Sequence, residues 1–207
     1  MAQFFSIHPD NPQPRLIRRA AEIVRGGGIL VYPTDSCYAL GCRIGDRAAI
    51  GRLRAIRKVG EQHPFALVCR DLAELAVYAK VENRQFRQLK RATPGGYTFI
   101  LKATREVPKR LLHPRRRTIG LRVPDHRVAQ ALLAELNEPL LSSTLHLPGD
   151  ELPLNDAQEI RNRLEHEVDL VLDSGSCGIT PTTVVDLTGD APLIARQGKA
   201  SAQPFGL

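Results

Sequence analysis

Short apolar runs alternate with helical segments along almost the whole chain, and this alternation restricts the fold more than any other feature. "ILVY", "PFALVC", "YTFIL", "TIGLRV", "PLLSST" and "VDLVLD" each read as a strand closed by Gly, Pro, Asp or Ser. Between them, Leu16, Ile17, Ala20, Ala21 and Val24 recur at helical spacing. Asp10 or Asn11 is expected to cap that helix, Pro12 and Pro14 suit its first turn, and Gly26, Gly27 and Gly28 end it. Asp46 is expected to cap a helix carrying Ile50, Leu53 and Ile56, and Asp71 to open one carrying Leu72, Leu75 and Ala76. A basic helix follows around Phe86 and Leu89, then helices over 127–136 and 156–165. Late in the chain, "TTVVDL" and "PLIAR" have hairpin spacing, with Gly189-Asp190 in the turn. That pair argues against an all-parallel sheet. The pattern predicts an α/β (α+β) fold built on a mixed parallel/antiparallel sheet flanked by helices.

The stretch "ILVYPTDSCYALGC" breaks a buried strand with three oxygen-bearing side chains, Thr34, Asp35 and Ser36, and then resumes it. Similar polar strand ends are Thr98 after "TPGG", Ser142, Ser143 and Thr144 closing "PLLSST", and Thr182 and Thr183 after "SGSCGITP". Hydroxyls and backbone amides in such places hold carboxylates and phosphates without carrying charge themselves. Together with nearby arginines they predict a site.

The 207 residues carry a net charge of +7, and the basic residues cluster. Arg52, Arg54, Arg57 and Lys58 form one group; Arg84, Arg87, Lys90 and Arg91 a second; Lys102, Arg105, Lys109, Arg110, Arg115, Arg116 and Arg117 a third. A basic surface concentrates polyanions such as nucleoside triphosphates or RNA. No apolar run approaches the ~20 residues of a membrane span, and "MAQFFSIHPDNPQ" lacks the pattern of a signal peptide. A cytoplasmic protein with one domain over 1–207 and a core over 12–198 is expected. Cys37, Cys42, Cys69 and Cys177 have no metal-ligand spacing and read as free, buried thiols. Phosphate-loop, dinucleotide, nucleophile-elbow and zinc-protease motifs are all absent, the histidines are scattered, and no metal ligand set is expected. Any reaction here must work by positioning and charge screening, as in phosphoryl and nucleotidyl transfer.

On these residues the chain resembles the YrdC-like family. "VYPTDSCYALGC" resembles that family's "YPT(D/E)TxYGLG", "PFALVC" its "PL" strand, "TPGGYTFIL" its "PGPxTxIL", and "TIGLRVPDH" its "RxP" strand. "PTTVVDL" and "IARQG" resemble its "STVVDL" and closing "xRxG", so the likeness runs from Val31 to Gly198. The resemblance implies a twisted sheet with a concave basic cavity. It also implies synthesis of threonylcarbamoyl-adenylate from L-threonine, bicarbonate and ATP, with diphosphate released. The product feeds tRNA threonylcarbamoyladenosine, and Mg²⁺ would be bound through the nucleotide phosphates. Thr34, Asp35, Ser36, Thr98, Arg122 and Thr182 would then bind substrate, with Arg122 offering a fork to a carboxylate. Ser143, Thr144, His146 and Arg196 would bind nucleotide.

Two family motifs are altered. The family's KxR falls, aligned on Pro64, on Arg57 and Val59, so the second cation is missing; Lys58 beside Arg57 is the candidate replacement. The family's SxN falls on Thr144 and His146. Arg57 and Lys58 are therefore the candidate catalytic cations of a weak or altered synthase. These departures match a bacterial branch paralogous to the synthase. The alternative is a protein binding tRNA or double-stranded RNA, with little or no catalysis, through Arg84, Arg87, Lys90, Arg91, Arg115, Arg116 and Arg117. The chain ends nine residues after Gly198, and any lid is expected from 146–155 or 174–180.

Overall fold

The computed structural model describes residues 1–206. One mixed sheet of ten strands organises the fold, in the order β1-β8-β2-β3-β7-β4-β6-β5-β9-β10. The strands are β1 (Gln3–Ser6), β2 (Leu30–Tyr32), β3 (Ala39–Arg43), β4 (Ala66–Val68), β5 (Tyr97–Lys102), β6 (Thr118–Arg122), β7 (Leu140–Thr144), β8 (Leu170–Asp173), β9 (Thr183–Asp186) and β10 (Leu193–Arg196). Six helices flank it: α1 (Pro14–Arg25), α2 (Arg47–Arg57), α3 (Leu72–Tyr78), α4 (Asn83–Ala92), α5 (Arg127–Leu136) and α6 (Ala157–Leu164). β1, β2, β4 and β5 pair in parallel with β8, β8, β6 and β9, and the remaining ladders are antiparallel. The expected closing hairpin is β9–β10, which carries a register shift between Ile194 and Arg196.

Two helix starts match the sequence reading closely. The Asp46 carboxylate accepts the Ala49 amide at 3.0 Å, and the Asp71 carboxylate accepts the Glu74 amide at 2.8 Å. The start of α1 differs: Gln13 is its N-cap and makes no side-chain cap bond, with Pro14 at the first helical position. Proline there leaves one fewer amide to satisfy, so Asp10 and Asn11 stay outside the helix. Strand β1 lies beyond the sequence reading because four residues with two aromatics carry too little periodicity.

Because side chains alternate across a strand, the two sheet faces separate cleanly. On one, Val31, Leu40, Leu67, Phe99, Leu121, Leu141 and Val171 pack with Leu53 of α2, Leu75 of α3, Leu89 of α4 and Ile160 of α6. On the other, Leu30, Tyr32, Ala39, Val68, Leu140, Leu170 and Leu172 pack with Ala20 and Val24 of α1 and Leu132 of α5. Helices α1 and α5 cover the β8-β2-β3 end of that second face and reach Leu140 of β7 and Val68 of β4. Over β4, β6, β5 and β9 the same face carries Ala66, Gly120, Thr98 and Val184, which line a cavity. Three cysteines are buried and Cys177 is half-buried, and all are free. No helix among the described residues is long and apolar enough to cross a membrane.

Candidate functional site

The cavity has a volume of about 380 Å³, and its floor is the uncovered part of the sheet. Ala66 and Gly120 sit opposite each other in the β4–β6 ladder, and their lack of bulk creates the depression. A side chain at Gly120 would press on Thr98 Cγ2 at 3.3 Å and Ala66 Cβ at 3.5 Å. Residues 61–65 form one wall and 110–113 another, and the ends of β7, β9 and β10 close the rest.

Seven of the expected site residues meet here: Arg57, Thr98, Ser143, Thr144, His146, Thr182 and Arg196. Five of them are held by bonds to one another. Arg57 Nε, at the last residue of α2, donates to Ser143 Oγ at 3.1 Å, so the guanidinium is aimed across the β7 end. Burial draws the Arg57 guanidinium below its ordinary range. Thr98 and Thr182 share a hydroxyl hydrogen bond of 2.8 Å across the parallel β5–β9 edge. Arg196 donates to the Thr182 carbonyl at 2.9 Å and, more distantly, to its hydroxyl at 3.4 Å. His146 Nε2 lies 2.8 Å from the Asp150 carbonyl. A carbonyl only accepts, so Nε2 is the donor.

The "PTDS" corner is arranged differently from expectation. Thr34 and Ser36 are buried in their own turn: the Thr34 hydroxyl donates to the Cys37 carbonyl at 2.6 Å and accepts the Ser36 and Cys37 amides. Arg122 is 7% exposed and is ion-paired to Asp35, with a further bond of 3.3 Å to Thr34 Oγ1. One terminal nitrogen of its guanidinium is thus engaged by a protein carboxylate, because the strand end that aims Arg122 also faces the β2–β3 turn. Thr34, Asp35, Ser36 and Arg122 form a closed polar corner beside the cavity, not part of its lining. Arg122 Nε and the neighbouring His126 Nδ1 are buried without a hydrogen-bond partner.

Lys58 also departs from its expected position. It is the left-handed C-cap of α2 (φ 48°), exposed, and outside the cavity lining. The turn it makes sends Arg57 inward and Lys58 out. Val59, at the missing-cation position, packs its side chain against the main core.

Both loops expected to act as lids are anchored. Leu145 and Leu154 are joined by a backbone bond of 3.1 Å, and Arg163 ties Asp150 at 3.0 Å. The 174–180 segment rests on the "PTDS" corner, with Gly178 against the Ser36 carbonyl and Tyr38 donating to the Gly175 carbonyl at 2.6 Å. Arg84, Arg87, Lys90 and Arg91 lie exposed on α4, away from the cavity, and Arg115, Arg116 and Arg117 lie exposed just before β6. Of these only Arg116 reaches the cavity wall.

Three histidines reach the cavity, two of which the sequence did not mark: His63 and His113. His113 Nδ1 accepts the Arg115 and Arg116 amides at 3.3 and 3.2 Å. Burial, reinforced by Arg57 and Arg54, lowers the His63 imidazole. Their signal was the loop prolines Pro64 and Pro114 beside each, which fold these segments back over the sheet. Arg110 was marked only within a charge cluster. Arg57, Arg110, Arg116 and Arg196 face a single lining carboxylate, Glu61. Among the described residues no group of three or more His, Cys, Asp or Glu is placed to hold a metal ion.

The mixed sheet thus leaves one open face that gathers hydroxyls and arginines around a floor of small residues. The chain belongs to the Sua5/YciO/YrdC family: the Sua5_yciO_yrdC family model, described as telomere recombination, matches residues 22–198. The chain is 56% identical over 205 residues to YciO of Escherichia coli strain K12, covering 99% of this chain and all of that one. The crystal structure of E. coli YciO superposes with a TM-score of 0.95, over 99% of this chain and 100% of that one. A threonylcarbamoyl-AMP synthase of Chromobacterium violaceum is 33% identical over 180 residues, 86% of this chain and 92% of that protein. The P. abyssi Sua5 structure with L-threonine shares the fold, with a TM-score of 0.86 at 24% identity over 94% of this chain and 57% of that one.

Proposed function

We propose that this chain catalyses a weak or altered threonylcarbamoyl-adenylate synthesis, linked to threonylcarbamoyladenosine in tRNA. In that reaction the amine of L-threonine forms a C–N bond to bicarbonate carbon with loss of water, an oxygen of the resulting carbamate attacks the α-phosphorus of ATP, the bond to the β-phosphate oxygen breaks, and diphosphate leaves. The observation carrying this reading is the Arg57–Ser143 contact facing the Thr98–Thr182–Arg196 cluster, on a chain 33% identical to such a synthase. Arg57, Arg110 and Arg116 screen the phosphates, Thr98 and Thr182 position the amino-acid part, and Thr144, His146 and Arg196 hold the nucleotide. Mg²⁺ arrives on the phosphates, since the lining supplies only Glu61. Slowness follows from Val59, which packs against the core and puts no cation at that position, while neighbouring Lys58 lies outside the cavity lining. Loss of one such charge costs about two to three powers of ten in rate.

Mass spectrometry of threonylcarbamoyl-adenylate and diphosphate, with ATP, Mg²⁺, L-threonine and bicarbonate, tests the reading. Slow product formation is expected in the wild type, none in Arg57→Ala, and a rise in His146→Asn. Absence of product that depends on both threonine and bicarbonate overturns it.

A second reading, RNA binding, is favoured by α4. Arg84, Arg87, Lys90 and Arg91 share one exposed flank, with Phe86 44% exposed beside them. Affinity for duplex RNA or tRNA should fall linearly in log–log with salt, the slope reporting several phosphates. A flat slope removes it.

A further inference from the structure

A second depression of about 470 Å³ adjoins the cavity and shares Glu61, Gln62, Arg110 and Leu112 with it. One side is α2, whose Arg47, Gly51 and Arg54 lie at i, i+4 and i+7 and so share a face. The other side is the short 3₁₀ turn Lys109–Leu111 and Pro114. Arg47, Arg54, Lys109 and Arg110 meet only Glu61 across it. Arg54 and Arg110 are steadied by carbonyls of Gly60 and Gly45, and Arg54 also stacks on Phe65 at 4.8 Å. No carboxylate pairs with Arg47 or Lys109 among the described residues.

Two features are unexplained by folding. Arg47 stands in the first turn of α2, where a cation opposes the helix dipole. Gly51 occupies the interior of a helix, where glycine is unfavourable, yet a Cβ there would meet nothing within 4 Å. A bare backbone facing open space between unpaired cations suits close approach by an anion. Arg57, at the other end of α2, continues the same track into the cavity.

We propose that this groove binds the terminal phosphate chain, either as the outer phosphates of a nucleoside triphosphate seated in the cavity or as free diphosphate leaving it. Arg110, common to both depressions, hands the phosphates from one to the other. This inference rests on the nucleotidyl-transfer reading above and adds the place where its leaving group goes.

Calorimetric titration of the full chain with inorganic diphosphate, with AMP, and with a non-hydrolysable ATP analogue tests it. Arg47→Ala with Lys109→Ala is expected to weaken diphosphate and the ATP analogue at least tenfold and to leave AMP within twofold. An effect on the analogue alone assigns the groove to bound triphosphate, and an effect on diphosphate as well assigns it also to the departing product. Gly51→Gln is expected to raise the melting temperature and still lose diphosphate, a combination that a purely structural glycine cannot give. Wild-type affinity for both diphosphate and the analogue in either variant overturns the proposal. If diphosphate fails to bind while the same substitutions weaken RNA, the groove is a nucleic-acid surface and the proposal falls. Diphosphate binding without binding of AMP or the analogue retains the anion site and instead overturns the nucleotide reading.

Discussion

The two halves of one sheet face carry the same backbone and opposite chemistry. Under α1 and α5 the inward positions are Leu30, Tyr32, Leu140, Leu170 and Leu172, all within 1% of full burial. A few strands away the equivalent positions are Ala66, Thr98, Gly120, Thr144 and Val184, and no helix covers them. β7 spans both: Leu140 packs under the helices, while Ser142 and Thr144 line the cavity. The dividing line is polar, made by the 2.7 Å bond between Tyr32 and Ser142 and by the Asp35–Arg122 pair. Helices stabilise one half by removing apolar area from water, and the other half keeps its hydroxyls available because no helix claims them.

Breaking the dividing line should give the largest effect. The Asp35 and Arg122 side chains are 12% and 8% exposed. Asp35→Ala leaves Arg122 charged and unpaired in that corner, and a loss of about 3–5 kcal/mol in urea unfolding is expected. Asp35→Leu combined with Arg122→Met should recover much of it, because the charge goes with its partner. A loss below about 1 kcal/mol for Asp35→Ala would show that the corner is held by Thr34 and its turn instead.

Within the covered half, Leu132→Ala in α5 removes a fully buried side chain, and a loss of about 2–5 kcal/mol is expected. AMP affinity, measured on the folded variant, should stay within twofold. In the open half the signs reverse. Gly120→Val adds a β-branched residue to a strand, and its unfolding free energy should move by only about 1 kcal/mol, since strand propensity offsets the tight approach to Thr98. The new methyls project over the cavity floor, so AMP affinity should drop at least tenfold. If Leu132→Ala damaged binding as much as Gly120→Val, the two halves would be one mechanical unit.

Legibility in the sequence follows the same division. Helices and strands were readable wherever one apolar stripe meets one partner layer, as in α2, α5 and β7. Thr98, Thr144 and Thr182 were readable as polar ends of strands whose register the core fixes, whereas Arg57, His146 and Arg196 were marked as site residues by the family resemblance. Contacts made by loop closure were not. The Asp35–Arg122 pair joins residues 87 apart, and nothing local marks Arg122 as already engaged. Lys58 and Arg57 are adjacent in sequence, yet the left-handed conformation of Lys58 itself leaves it outside the cavity that Arg57 lines. His63 and His113 enter the site only because their loops fold back over the sheet.

The smallest effect concerns acid, and it separates the cavity from the corner. His63 and His126 are both lowered from the ordinary imidazole value, chiefly by burial. Arg57 and Arg54 also lower His63; around His126, Arg122 lowers it while Asp35 and Asp125 raise it. With depressed folded values, the unfolded chain takes up protons first as pH falls. Their contribution is therefore complete above about pH 6.5 and is lost below it, as pH falls toward the folded values. A phosphate ligand beside His63 favours the protonated imidazole, so saturating AMP should flatten the His63 share of the acid loss. His126 faces the closed Asp35–Arg122 corner and should keep its share with or without AMP. Urea midpoints between pH 7.5 and 5.5, for wild type and His126→Gln, resolve the two. Flattening of the whole slope by AMP in the wild type would mean that the corner opens to ligand, and the division drawn through Tyr32–Ser142 would have to move.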